Sequence, residues 1–297
     1  MVLVLALLLI AGGFAFAGGG QEKSVSVGAK NFTEQYIMGQ ILSMMLEAEG
    51  FSVQQDFGMS STAVRSALET GQIDLYADYT GTAWVTYLDH EDVINDPEEL
   101  YAQVKQEDME ANDIAWVTML PVNNTYALAV KEGFAEEHDL ETLSDLAELV
   151  QQNPQEYQIA VDYEFFERPD GFFAMAETYG MDVPRSQVRA MEIGLTYEAV
   201  NQGDVDVAMV FATDGRLRRF DMTVLDDDKN FFPPYNLGVC VRQEVLDEYP
   251  AVETLFDPLA DVLNQDVMIE LNYRVDAQEQ EPEQVAESFL QEQGLIE

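Results

Sequence analysis

The stretch Ala67-Leu68-Glu69-Thr70-Gly71-Gln72-Ile73-Asp74-Leu75 can be laid without a gap on Ala199-Val200-Asn201-Gln202-Gly203-Asp204-Val205-Asp206-Val207. Each reads as the end of a helix, a glycine turn, and a strand with Asp at the same place. Continued in the same register, the pairing sets Tyr79 against Phe211, so each copy presents an aromatic ring just beyond a strand. The separation is far longer than the roughly 20 to 50 residues of a solenoid repeat. Two similar α/β lobes facing one another explain it, with ligand chemistry at the strand ends that line the cleft between them.

The flanking sequence fits the same alternation. Val25 to Val27 reads as a short buried strand. Asn31 can cap a following helix, with Glu34 reaching back from three positions on. Apolar residues at Ile37, Ile41, Met44 and Ala48 mark one helical face, and Gly50 stops it. Phe51, Val53 and Phe57 then alternate as in a half-buried strand, and a second helix is predicted over Thr62 to Glu69, capped by Ser60 or Ser61 and ended near Gly71. Ile73 to Tyr76 is the next strand. Short strands and helices alternate to the end, which predicts α/β layers with largely parallel sheets.

A chain of 297 residues that is 47% hydrophobic can bury a sizeable core. Its net charge of -42, from 56 acidic against 14 basic side chains, argues against nucleic acid and anionic lipid as partners. Such acidity reads either as a solvated surface that keeps the chain soluble or as adaptation to concentrated salt, and its spread along the whole chain favours the second. Residues 1–17 read as a signal peptide, with an uncharged apolar run from Val2 ending in Ala15-Phe16-Ala17, and residues 18–24 as a flexible spacer. Cys240 is the only cysteine and lies in an apolar run, so it is expected to be a small buried side chain; neither an intrachain disulfide nor a lipid-anchored thiol near the leader is expected. Cleavage of the leader without a lipid anchor points to the periplasm.

The sequence supplies little for catalysis. His90 and His138 are the only histidines, and both sit among acidic residues where a solvated surface role is expected. No CxxC, HExxH, GxSxG, Walker-type or GxGxxG pattern occurs. Carboxylate pairs abound, so a secreted hydrolase using such a pair stays open, although nothing singles one out.

Recognition chemistry stands out more clearly, because cations are scarce. Lys30 lies between a strand and a helix start in Gly28-Ala29-Lys30-Asn31-Phe32-Thr33-Glu34-Gln35, beside backbone N–H groups that would attract a carboxylate. Arg168 lies in Phe165-Phe166-Glu167-Arg168-Pro169-Asp170-Gly171, a turn that surrounds a guanidinium with aromatics, where it could equally pair with Glu167 or Asp170. Tyr79, Tyr126, Phe211 and Tyr235 each sit where an apolar segment meets turn residues. A quaternary ammonium cannot donate an N–H bond, so proteins hold it between aromatic faces, each contributing about 0.5–2 kcal/mol.

At these motifs the chain resembles the substrate-binding proteins of ABC transporters for glycine betaine, choline and related osmoprotectants. The resemblance runs from about Val25 to near the C-terminus and rests on Gly28 to Gln35, Asp74 to Thr82 (DLYADYTGT), Phe165 to Gly171, Thr213 to Arg216 (TDGR) and Phe232 to Tyr235 (FPPY), in that order. It implies a two-lobed periplasmic-binding-protein fold of type II that closes over a ligand in the interlobe cleft. The family's aromatic cage falls on Tyr79, Tyr126, Phe211 and Tyr235; the third position is commonly Tyr, and Phe here keeps the π face while losing the hydroxyl. The carboxylate partners fall on Lys30, Thr82 and Arg168, and a backbone carbonyl near Asn124 would face the ammonium. A cation-rich carboxylate pocket favours a betaine over choline.

The resemblance also implies lobe 1 from 25–123 plus 235–297, lobe 2 from 124–234, and hinges near Val122 to Thr125 and Pro233 to Tyr235. It implies no cofactor and no metal, a permease as partner, and a monomer. A carrier of choline or another compatible solute is the alternative within the family.

Overall fold

The computed structural model describes residues 23–297, so the signal-peptide reading of 1–17 and most of the spacer lie outside the described residues. The two matched stretches fold alike within it. Gly71 and Gly203 both take left-handed φ, +72° and +80°, ending the helices Ser61–Glu69 and Ile193–Gln202 where a side chain would be strained. Asp74 Oδ2 accepts from the Ser26 N–H at 2.8 Å, and Asp206 Oδ2 accepts from the Gln158 N–H at 2.8 Å. The same carboxylate thus tethers the same turn to a neighbouring strand in each half.

Among the described residues ten strands form two sheets: β1 (Ser24–Lys30), β2 (Ser52–Met59), β3 (Leu75–Tyr79), β4 (Ile114–Asn123), β5 (Tyr126–Lys131), β6 (Ile159–Asp162), β7 (Val188–Met191), β8 (Val207–Phe211), β9 (Met222–Val224) and β10 (Asn236–Arg242). Their orders are β2-β1-β3-β10-β4 and β7-β6-β8-β5-β9. In the first, β1 runs parallel to β2 and β3 while β10 is antiparallel to β3 and β4. In the second, β6 runs parallel to β7 and β8 while β5 is antiparallel to β8 and β9. The sheets are therefore mixed and not largely parallel as expected, because each lobe takes one strand from a chain segment that has crossed over from the other. Every strand of one sheet has its counterpart in the other.

The chain crosses between the sheets twice, through Asn124 and Thr125 and again between β9 and β10. The crossings are tied side by side: the Asn124 N–H donates to the Tyr235 carbonyl at 3.0 Å, and the Tyr235 N–H donates to Asn123 Oδ1 at 2.7 Å.

The first helix, Thr33–Ala48, buries Ile37, Met38, Ile41, Leu42, Met45 and Leu46, a broader face than the predicted stripe, and Ala48 is exposed. It lies between the sheet and the C-terminal helices Gln265–Asp276 and Pro282–Glu292, so two of its sides are covered. Each such side chain contributes roughly 1.5–3 kcal/mol by leaving water. The predicted cap differs as well: Phe32 occupies the N-cap position with no side-chain bond, and neither Asn31 nor Glu34 caps the helix. Ser60 does cap the second helix, accepting from the Ala63 N–H at 3.3 Å. Cys240 is fully buried, and burial pushes its thiol up. Both histidines lie at the surface, half-exposed, and each is also packed against a ring. His90 stacks on Trp84 at 3.5 Å and bonds Glu107 at 2.7 Å, and His138 packs against Phe134 at 4.5 Å.

Candidate functional site

The fold places aromatic rings at the cleft by one rule applied in both lobes. Tyr79 is the last residue of β3 and Phe211 the last of β8, so both rings stand at carboxyl ends of central strands. Because β10 and β5 run antiparallel to those strands, their starts reach the same edge, with Tyr235 just before β10 and Tyr126 first in β5, opposite Phe211. Gly81 is needed here: a Cβ would lie 2.9 Å from the Tyr235 ring.

A cavity of about 470 Å³ opens between the lobes. Tyr79, Tyr126, Phe211, Tyr235, Lys30, Thr82, Arg168 and Asn124 all line it. Tyr126 lies 5.3 Å from Phe211 and 5.4 Å from Tyr235, ring centre to ring centre. Phe32, which sequence reasoning did not assign, bridges the set at 5.2 Å from Phe211 and 6.2 Å from Tyr79. Its signal was present, an aromatic inside the Gly28 to Gln35 motif. Burial pushes the Tyr79, Tyr126 and Tyr235 phenols up, so these rings stay neutral.

The two cations are not free. Lys30 is the last residue of β1, not a loop residue beside the helix start, and its Nζ donates to the buried Asp78 at 2.6 Å while lying 5.1 Å from the Tyr79 ring centre. Arg168 gives Nε and Nη2 to Asp170 at 2.8 and 2.5 Å. Its Nη1, 3.6 Å from Glu164, is buried without a hydrogen-bond partner, and the side chain is 6% exposed. The guanidinium lies 5.6 Å from the Tyr126 ring centre. Two further polar atoms on the cavity wall, Asn124 Oδ1 and Thr86 Oγ1, are buried and unpartnered. A buried donor or acceptor left unbonded costs about 1–3 kcal/mol, so such atoms favour a ligand that completes them.

Acidic groups were also missed. Asp162 lines the cavity and caps the helix Tyr163–Glu167 through the Phe165 N–H at 2.7 Å; burial pushes its carboxyl up to about 7. Glu34, expected to cap the first helix, is instead fully buried behind the aromatic rings and bonded by four donors, and desolvation raises its pKa against those bonds. In a chain with 56 acidic residues, composition could not have singled out either. Among the described residues no group of three or more His, Cys, Asp or Glu is arranged to hold a metal ion.

Two mixed sheets joined by paired crossings, with aromatic strand ends facing across a cleft, define a type II periplasmic-binding-protein fold, the class of the substrate-binding components of importers. Similarity to known proteins narrows the class. Residues 23–292 match the family described as the substrate binding domain of ABC-type glycine betaine transport system, and the chain belongs to that family. A glycine-betaine-binding protein of Pseudomonas aeruginosa is 40% identical over 99% of this chain and 96% of its own length. A carnitine transport binding protein of Listeria monocytogenes is 33% identical over 94% of this chain and 90% of its own. A solved glycine betaine/carnitine/choline ABC transporter chain superposes with a TM-score of 0.74 at 31% identity, covering 92% of this chain and all of that one. This is a family of transport binding proteins and not of enzymes, which favours the carrier reading over the hydrolase.

Proposed function

We propose that this protein captures glycine betaine or a closely related quaternary amine in the interlobe cleft and delivers it to the permease of an ABC importer. The observation that carries the reading is the convergence on one cavity of aromatic rings from both lobes and a buried, unpartnered guanidinium N–H. Tyr79, Tyr126, Phe211 and Tyr235, with Phe32, present π faces to a methylated nitrogen, and Asn124 offers an acceptor oxygen to the same positive end. Arg168 Nη1, with Lys30 and Thr82, takes the carboxylate. The chain then divides into lobes at the crossings near 123–125 and 233–235. Closure removes water from the cation and so strengthens each aromatic contact. The relatives named above bind ligands of this class, which supports the assignment. A monomer exported to the periplasm by its N-terminal leader completes the reading.

A second reading has its own support. Asp78 and Asp170 already engage Lys30 and Arg168, which favours choline, a cation with no carboxylate to place. Calorimetric titration with glycine betaine, choline, carnitine and glycine tests both. Glycine, which has the carboxylate but no methyl groups, should bind far more weakly than betaine. Equal binding of the two, or no binding of any quaternary amine, would reject the cage.

A further inference from the structure

The Thr213 to Arg216 motif is not among the residues lining the cavity, yet it bonds across the lobes. It follows β8 in lobe 2 and docks on the helix Gln265–Asp276 and on the start of the helix Thr33–Ala48, both of lobe 1. Thr213 Oγ1 donates to Glu34 Oε2 at 2.6 Å, and the Thr213 carbonyl accepts from Asn272 Nδ2 at 3.0 Å. Asn272 Nδ2 also donates to Glu34 Oε2 at 3.1 Å, closing a triangle of bonds across the interface. At Gly215 any side chain is excluded, since a Cβ would fall 2.4 Å from the Tyr273 Cα. Arg216 holds Asp214 through two bonds of 2.9 and 2.7 Å and lies 3.5 Å from Asp276, whose other oxygen accepts from Thr33 at 2.7 Å.

Glu34 links this docking to the cage. Its second oxygen, Oε1, accepts from the Tyr79 hydroxyl at 2.8 Å and from Asn124 Nδ2 at 3.0 Å. One carboxylate therefore collects donors from a cavity ring, from a crossing segment, from the lobe 2 turn and from the helix Gln265–Asp276. All are neutral, so Glu34 is held by hydrogen bonding alone. Any change in how the turn seats on lobe 1 reaches Tyr79 and Asn124 through two bonds. Phe32 and Phe211 lie two residues from Glu34 and Thr213, so the aromatic walls share the same local backbone.

We propose that the Thr213 to Arg216 turn is an interlobe clasp and Glu34 its positioning residue: together they fix the seating of lobe 2 on lobe 1 and the placement of the Tyr79 ring, so that groups which do not line the cavity set ligand affinity. The ligand part of this inference rests on the function proposed above; the seating of the lobes does not.

The test compares the full chain with Thr213→Val, which keeps the shape and removes the donor, and Thr213→Ser, which restores the donor. Asp276→Asn weakens the other arm and serves if the valine variant fails to fold. Glycine betaine affinity is read by calorimetry, and the interlobe distance by spin labels on cysteines introduced at the exposed positions Ala63 and Glu177. The clasp predicts at least about a 10-fold loss of affinity and a longer, broader distance distribution for Thr213→Val. Thr213→Ser should return both to within about 3-fold of the parent affinity and to its distances, whereas loss of packing alone would leave serine no better than valine. Parental affinity and distances in Thr213→Val, or in a folded Asp276→Asn standing in for it, would overturn the clasp. If the parent binds no quaternary amine, the ligand reading fails by itself, and the distances in ligand-free protein still decide the clasp.

Discussion

Arg168 can be removed in a way that separates its two possible duties. In the double variant Arg168→Met with Asp170→Asn, the guanidinium is lost together with the carboxylate that accepts two of its N–H bonds, so no buried acid is left unpaired at that point. What the ligand loses is the partner at Nη1, the one buried nitrogen of this side chain without a bond. A hydrogen bond to a charged group is worth about 1.5–3 kcal/mol net, and about 1.4 kcal/mol is tenfold in affinity, so glycine betaine should bind roughly 10- to 150-fold more weakly. Choline has no carboxylate to lose. It should change by less than about 3-fold, or tighten, because Glu164, 30% exposed and 3.6 Å from the lost cation, is freed to attract it. Paired titrations with the two ligands, with a thermal melt to establish folding, give the answer as a ratio. If betaine and choline weaken equally, Arg168 serves by bracing Tyr126, 5.6 Å away, and the carboxylate must be read elsewhere.

Phe211→Ala removes one π face from a ring set spaced at 5.2–5.3 Å around it and should weaken betaine and choline alike by roughly 2- to 30-fold; an effect on betaine alone would place the ring at the carboxylate end. Asp162, with a carboxyl near 7 when folded and near 4 when unfolded, takes up its proton earlier in the folded state as pH falls. Its contribution to stability therefore diminishes as pH rises from about 4 to 7 and is constant above, with a slope of up to about 1.4 kcal/mol per pH unit. Asp276, near 6, adds with the same sign. Asp162→Asn keeps a side chain able to cap the helix at Phe165 and should flatten the rise in melting temperature between pH 8 and 5; an unchanged slope would mean that Asp162 ionises freely in the folded chain. With a net charge of -42, the chain should melt higher on going from 0.1 to 1 M salt, where the screening length falls from about 10 to about 3 Å, and a salt-indifferent melt would remove the salt-adapted reading.

The internal match of residues 67–75 with 199–207 exposed the architecture because the equivalent turns need the same things in each lobe: a residue able to take positive φ and an Asp to hold the next strand. Those are local requirements, and local requirements leave a mark on sequence. The antiparallel strands β5 and β10 left none, since their direction is set by where the chain crosses between lobes and not by their own residues. The ring cluster at the cavity was legible for a related reason: its rings sit at strand ends, where an aromatic followed by turn residues is conspicuous. Glu34 was misplaced, and the ion pair of Lys30 went unforeseen, because their partners are remote. Asp78 lies 48 positions from Lys30, and Thr213 and Asn272 lie 179 and 238 positions from Glu34, distances over which no spacing rule reaches.

The pairing of the scarce cations bears on selectivity more than their number does. A protein this acidic presents a field that draws cations to the cleft from outside, and the cavity wall adds Glu164, Glu167 and Glu192 to it. Were Lys30 and Arg168 unpaired, they would repel the trimethylammonium end as effectively as they attract the carboxylate. Asp78 and Asp170 cancel that repulsion beyond a few ångströms, because an ion pair acts at a distance as a dipole. What survives is short-ranged and directional, the unfilled N–H of Arg168. A zwitterion gains from such a bond at contact, while a simple cation neither gains from it nor is excluded by it. Under the proposed function, discrimination between betaine and choline is then a matter of one or two hydrogen bonds, about 1.5–3 kcal/mol each, superposed on a ring cluster open to both ligands.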